Sequence, residues 1–189
     1  VRQALDEVPG ASAFAVDGEW GTIAVPKGGG RAIRPAEVLL ADAVVEADLR
    51  TTTAPSGSGT YFWLIGREAG ALSYRAKLTL TAAGVTTLSL TRSSSGTDTT
   101  LATTRVPGTV TSGTTLRLRF EQYGHAPTTV RASARPAAGS EPPAWMLTTT
   151  DATAELQNPG GFGIDSYVSS SATVGQTIQV DRYSISRPG

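Results

Sequence analysis

The sequence contains no cysteine and very little lysine. Without cysteine, it cannot form disulfides, cysteine–zinc sites or a cysteine nucleophile. Of its 16 basic residues, only Lys27 and Lys77 are lysines, and the rest are arginines. Together with the abundance of Ala, Thr and Gly, this bias is typical of a GC-rich bacterial genome.

The chain also lacks an excess of charge and any long apolar run. Its 16 basic and 16 acidic residues give a formal net charge of zero. A nucleic-acid or anionic-membrane partner requires an excess of Lys and Arg, so neither is expected. No stretch approaches the roughly 20 apolar residues of a membrane-spanning helix, and we expect no membrane insertion.

The 189 residues are a normal length for one β-sandwich domain. No signal peptide is visible, and the sequence begins at Val1, so we interpret it as a processed form or a piece of a longer protein. We expect residues 1–12 to be an N-terminal extension or linker remnant. We expect residues 13–189 to form a single domain.

Most of the chain alternates between apolar and polar residues with the period of two that is typical of β-strands. Residues 44–51, 72–81, 115–123 and 128–135 are the clearest examples, and turn residues recur every 8 to 12 positions between such segments. The pattern predicts two packed antiparallel sheets with more than ten strands. The apolar positions predict a shared core that includes Leu78, Leu80, Leu88, Leu90, Leu116, Leu118, Phe120 and Val130.

One short helical turn is predicted at residues 152–157. Asp151 could cap its N-terminus, and the sequence Asn158-Pro159-Gly160 would end it. Six residues cannot form a stable helix alone, so this turn must pack on the sandwich.

Residues 104–108, 115–120, 128–136, 141–145 and 150–163 resemble a group of concanavalin A-like, or laminin G-like, domains. Such domains occur in secreted multidomain proteins and in phage minor tail proteins of GC-rich Gram-positive bacteria. The resemblance extends over residues 14–185. It implies an all-β, two-sheet antiparallel jelly-roll sandwich located outside the cell, on the cell surface or in a virion tail. It also implies a binding or adhesion module, but fold alone does not decide function.

The chain has little that indicates catalysis. Related glucanases carry acidic residues two apart on one strand, and Glu46 and Asp48 are a partial match. The next residue on that face is Arg50, which we expect to pair with Asp48 in place of a third carboxylate. The one histidine, His125, lies in a Gly-His-Ala-Pro segment that predicts a turn. We therefore expect no enzyme, and a degenerate glycoside hydrolase-like domain is a distant alternative.

Calcium is the one metal that the resemblance implies. Asp17, Asp165 and Asp181 are the candidate ligands, because jelly rolls of this superfamily often hold Ca²⁺ at strand ends. Calcium requires six to eight oxygen ligands. If these three carboxylates are instead isolated from one another in loops and at strand ends, no calcium is bound and the protein has no cofactor.

The polar sides of the predicted strands form the candidate binding surface. If these strands share a sheet, arginines and carboxylates of that face could hydrogen-bond a glycan or cell-surface polysaccharide, and an aromatic ring could stack on a sugar. Trp20, His125 and Tyr167 are candidates for a site in the loops instead. The alternative function is a structural spacer or assembly domain that contacts only neighbouring domains or subunits, with a solvated sheet of cross-strand ion pairs. The candidate sheet-face residues are Trp63, Arg75, Arg117, Arg119, Glu121, Tyr123 and Arg131.

Overall fold

The computed structural model describes residues 13–36, 38–138 and 144–189. Within these ranges, no helix is long and apolar enough to cross a membrane. The expectation for residues 1–12 lies outside the described residues. The described strands are β1 (Phe14–Asp17), β2 (Trp20–Val25), β3 (Gly30–Ile33), β4 (Ala43–Thr51), β5 (Thr60–Ala69), β6 (Leu72–Leu80), β7 (Thr86–Ser94), β8 (Thr97–Val106), β9 (Leu116–Tyr123), β10 (Thr128–Pro136), β11 (Leu147–Asp151), β12 (Gly161–Val168) and β13 (Gln176–Ser186).

These strands form two antiparallel sheets that pack face to face. The seven-stranded sheet has the order β1-β2-β13-β4-β9-β10-β11, and the six-stranded sheet has the order β3-β12-β5-β6-β7-β8. Strands distant in sequence are neighbours in both sheets, as β13 and β4 show. This is the two-sheet jelly-roll sandwich that the sequence predicts, and that prediction is confirmed.

The core lies between the sheets and is made by the alternate apolar residues of each strand. On β9, Leu116, Leu118 and Phe120 are fully buried, while Arg117 and Arg119 lie on the opposite side. All eight residues predicted for the core are at most 4% exposed. Burial of such side chains supplies most of the free energy that stabilises a sandwich without disulfides.

The predicted short helical turn is present, but it is shorter than residues 152–157 and Asp151 does not cap it. The structure has only a 3₁₀ turn, Ala154–Leu156, preceded by Thr153 without a side-chain cap. Asp151 is instead the last residue of β11, and its Oδ1 accepts hydrogen bonds from the Tyr74 hydroxyl and the Thr153 backbone amide, each at 2.9 Å. The strand pairing of β11 with β10 therefore continues through the residue expected to begin the helix.

A buried arginine joins three loops at one end of the sandwich. Arg67 has no exposed side-chain surface and lies in a β-bulge of β5 with a φ of 45°. Its guanidinium donates to the carbonyl oxygens of Ala41 at 2.6 Å, Gly124 at 2.7 Å and Leu156 at 3.0 Å. The bulge turns Arg67 inward, where backbone carbonyls and the carboxylate of Asp42, 3.2 Å away, replace water around its charge.

Candidate functional site

Three neighbouring aromatic rings lie on the outer face of the six-stranded sheet. Tyr61 and Trp63 alternate along β5 with the buried Phe62 and Leu64, and Tyr167 on β12 is directly opposite Tyr61. The Tyr61 ring centroid is 6.0 Å from that of Trp63, with the planes 22° apart, and 5.9 Å from that of Tyr167. All three residues are half-buried. We call Tyr61, Trp63 and Tyr167 the aromatic platform.

A lysine and a carboxylate complete the platform. The Nζ atom of Lys77 lies 5.3 Å from the Tyr61 ring centroid and 5.2 Å from that of Trp63, close enough for cation–π attraction. Asp98 Oδ2 accepts a hydrogen bond from the Trp63 indole nitrogen at 3.1 Å and is 3.5 Å from Lys77 Nζ. Beside the rings there are therefore one donor group and one acceptor group.

The contact between Trp63 and Asp98 shows how the outer face is shaped. Two strands, β6 and β7, separate β5 from β8, and a flat sheet would hold β5 and β8 about 14 Å apart. The two side chains can meet only if the β7–β8 hairpin curls over the outer face. In agreement, Ser73 and Ser93 lie on this face near the hairpin but are at most 1% exposed. One end of the face is therefore covered, and the aromatic platform lies beside this covered end.

Arg75 links the hairpin to β12 across the covered end. Its Nη1 atom is 3.8 Å from Asp98 Oδ1 and 3.6 Å from Asp165 Oδ2. Beneath this layer Ile65, which also points to the outer face of β5, has no exposed surface. The ion pairs therefore close this part of the sheet surface to a ligand.

Arg34, just after β3, extends the same charged layer. Its guanidinium makes two hydrogen bonds to Glu68, at 2.6 and 2.9 Å, and one to Asp165 at 2.7 Å. Burial lowers the pKa of Arg34, but the bonds to the two carboxylates outweigh it and raise the pKa above its ordinary value. Gly163 gives Arg34 the room to cross the strand, because a Cβ atom there would lie 2.6 Å from Arg34 Cδ.

The seven-stranded sheet holds most of the predicted binding residues, and each of its predicted arginines is paired. Arg117 makes two hydrogen bonds of 2.8 Å to Asp48, and Arg119 lies 3.1 Å from Glu46. Arg131 contacts Glu121 directly opposite on β9.

Two sequence-based expectations for this sheet are corrected by those pairs. Glu121 is only 2% exposed, because Arg131 lies against it, so it is not the solvent-facing residue that the alternation predicts. The predicted Arg50–Asp48 pair is wrong, since Asp48 pairs with Arg117 on the neighbouring strand. Arg50 instead bonds Gln179 at 2.7 Å and lies over the Trp20 ring, 4.1 Å from its centroid.

Aromatic rings on the seven-stranded sheet are engaged by the same arginines. The guanidinium carbons of Arg119 and Arg131 each lie 4.4 Å from the Trp145 ring centroid, and that of Arg131 lies 5.0 Å from the Tyr123 ring. The arginine side chains therefore pack against the Trp145 and Tyr123 rings. These two half-buried residues are a second group of aromatic residues, on the face opposite the aromatic platform.

The structure thus divides the predicted sheet-face residues between opposite surfaces of the sandwich. Trp63 and Arg75 belong to the six-stranded sheet, and the other five predicted residues belong to the seven-stranded sheet. The sequence-based set did not include Asp98, which is the second residue of β8 and gives no local sign that it reaches β5. His125 lies, as predicted, in the turn between β9 and β10, and it is exposed.

The candidate calcium ligands do not converge. Asp165 lies in the six-stranded sheet, where Arg34 and Arg75 approach its carboxylate, whereas Asp17 and Asp181 belong to the seven-stranded sheet. Among the described residues, no group of three or more Asp, Glu or His side chains could hold a metal ion. These three residues therefore do not fit one shared calcium site, and calcium binding near any single one of them stays a prediction.

Comparisons with known proteins show the fold. No family model matches the chain, and no curated protein matches it in sequence. A carbohydrate binding module from Bacillus subtilis superposes with a TM-score of 0.61 and 14% identity over 91% of this chain and 89% of that one. An alginate lyase from Pseudomonas aeruginosa superposes with a TM-score of 0.60 and 13% identity, covering 94% of this chain and 86% of that one. A legume lectin-like domain from Entamoeba histolytica superposes with a TM-score of 0.59 and 11% identity, covering 93% of this chain and 87% of that one. The chain is therefore similar in fold to both binding domains and an enzyme.

Proposed function

We propose that this chain is a non-catalytic glycan-binding module and that its aromatic platform is the ligand site. The observation that carries the proposal is the juxtaposition of Tyr61, Trp63 and Tyr167 on one outer face, with Lys77 and Asp98 beside them. Two similar folds, a carbohydrate binding module and a legume lectin-like domain, support the choice of ligand.

The chemistry of the platform suits a sugar ring. The apolar C–H face of a pyranose can stack on an aromatic ring, and a half-buried ring loses little conformational freedom when it binds. The Lys77 ammonium donates hydrogen bonds and the Asp98 carboxylate accepts them, so a sugar hydroxyl can use both. Such a pattern, an apolar surface with a few polar groups at fixed positions, is typical of small-ligand sites.

The carboxylates on this face favour binding over hydrolysis. A glycosidase needs two carboxyl groups that flank the scissile bond and are free to donate or accept a proton. Here Asp98, Asp165 and Glu68 each contact a cationic side chain, and the ion pairs cover the sheet beneath them. We therefore propose that these groups orient the platform and do not act as acid, base or nucleophile.

We propose that the module acts outside the cell, on the cell surface or in a virion tail, as part of a larger protein. The resemblance to laminin G-like domains of secreted and phage tail proteins motivates this proposal. An open face with few enclosing walls provides weak affinity, and attachment would then rely on several copies acting together.

A binding panel tests the proposal. The chain is run through native gels that contain single polysaccharides, and its mobility is compared with that in a gel without polysaccharide. We expect retardation in at least one gel. Unchanged mobility in every gel, together with no signal on a glycan array, would instead favour the alternative that the domain is a spacer or assembly unit.

A further inference from the structure

We infer that the glycan recognised by the aromatic platform is neutral, and that the site rejects acidic polysaccharides. This inference rests on the proposed glycan-binding function and adds the class of ligand. It comes from the way in which charges are arranged around the platform.

Three cations near the aromatic platform are each matched by a carboxylate. Arg34 lies 2.6 Å from Glu68, Arg75 lies 3.6 Å from Asp165, and Lys77 lies 3.5 Å from Asp98. These three positive and three negative side chains together carry no net charge. Lys77 is the described cation that lies over the Tyr61 and Trp63 rings, so it is the one that a stacked ligand would contact.

The position of Asp98 decides how Lys77 can act. A sugar carboxylate that approached the ammonium would also approach the carboxylate of Asp98, and the repulsion would cancel the attraction. Pushing Asp98 aside would remove the hydrogen bond that it accepts from the Trp63 indole. A neutral hydroxyl avoids both costs, because it accepts from Lys77 and donates to Asp98 at the same time.

The physical contrast is therefore between an uncompensated and a compensated lysine. A site built for acidic sugars leaves a cation without an anionic partner, whereas this one holds its cation between two rings and a carboxylate. Removing the charge of Asp98 should leave Lys77 without its anionic partner, as in a site for acidic sugars.

The test compares the intact chain with Asp98→Asn in native gels. The neutral probes are mannan, laminarin and dextran, and the acidic probes are alginate and polygalacturonate, each at low and high salt. We expect the intact chain to be retarded by at least one neutral probe and not by the acidic ones. Asp98→Asn should bind the acidic probes about fivefold more tightly at low salt, the effect of about one unit charge at contact distance in water.

Asp17→Asn is the matched control, because it removes the same charge from an exposed position on β1. If it gains as much acidic binding as Asp98→Asn, the effect is one of overall charge and the inference is overturned. Preferential, salt-sensitive retention of the intact chain by alginate or polygalacturonate would overturn the inference but leave glycan binding intact. Retention by no probe, neutral or acidic, would contradict the proposed function itself.

Discussion

Trp63 on β5 donates its indole N–H to Asp98 on β8, across 3.1 Å and over two intervening strands. This single hydrogen bond ties the aromatic platform to the β7–β8 hairpin. The ring orientation of Trp63 and the curvature of the outer face therefore depend on each other. Substitution of Asp98 should therefore alter the environment of the Trp63 indole, and substitution of Trp63 should alter that of Asp98.

We expect Asp98→Ala to release the Trp63 indole while the fold is retained. The indole N–H would lose its acceptor, and its hydrogen would exchange with solvent faster than in the intact chain. Three indole N–H signals are available for nuclear magnetic resonance, and Trp63→Phe identifies the one from Trp63. Asp98→Asn is the control, because its amide oxygen can still accept. Unchanged exchange in the alanine variant would show that the hydrogen bond does not hold the ring.

Replacement of Arg67 by Met should strongly destabilise the protein. The carbonyl oxygens of Ala41, Gly124 and Leu156 would lose their donor, and that of Leu156 lies in the buried interior. A buried polar group left without its partner costs about 1–3 kcal/mol of the free energy of unfolding, measurable by urea denaturation. Arg182→Met is the control, since that side chain is 69% exposed and should change stability by about 0.5 kcal/mol or less. Equal unfolding midpoints for the two variants would contradict this account.

Gly160 and Gly161 are adjacent, yet only the first should be intolerant of a methyl group. A Cβ atom at Gly160 would lie 2.5 Å from the backbone carbonyl carbon of Arg67, whereas one at Gly161 would be 3.7 Å from its nearest neighbour. Because backbone atoms of the bulge cannot move aside cheaply, Gly160→Ala should lower the free energy of unfolding by about 2 kcal/mol or more. Gly161→Ala should cost clearly less in the same denaturation series. The reverse order would show that the bulge is not packed as described.

The pH dependence of stability should include a contribution from Asp151. Burial raises the pKa of this carboxyl group, but hydrogen bonds from Thr153 and Tyr74 and the charge of Arg92 outweigh it and lower the pKa below its ordinary value. A lowered pKa in the folded state stabilises the protein above about pH 4 and loses that effect as the pH falls through the folded value. Asp151→Asn should therefore be less stable than the intact chain at neutral pH, and the difference should shrink in acid. Parallel stability curves between neutral and acidic pH would argue against this contribution.

Much of the fold follows from local sequence pattern. The apolar positions that alternation along β4, β6, β9 and β10 assigns to the core are buried. Asp48, Glu121 and Ser133, on the polar side of these strands, are buried as well. Alternation does not reveal which strands share a sheet, because sheet order depends on pairings distant in sequence. For that reason Arg75 and Arg117, which have the same pattern, lie on opposite outer faces.

The candidate site was harder to predict for the same reason. Trp63 and the polar side of β6 are visible in the sequence, but Asp98 becomes part of the site only because the hairpin curls. Arg67 shows the opposite case: a bulge shifts the alternation of β5, so that an arginine enters the interior at a position where a pattern of period two cannot assign it. The 3₁₀ turn after β11 likewise depends on packing around Asp151.

The most direct measurement of the central claim compares two tryptophan variants on the polysaccharide that retards the intact chain most. Trp63 lies on the platform, and Trp145 lies among arginines on the opposite face. The account predicts that Trp63→Ala weakens binding by about tenfold, the loss of one stacking contact, while Trp145→Ala binds like the intact chain. Melting temperatures of both variants are recorded so that lost binding is not confused with unfolding. Retained binding in folded Trp63→Ala with lost binding in folded Trp145→Ala would contradict the claim and assign the site to the seven-stranded sheet.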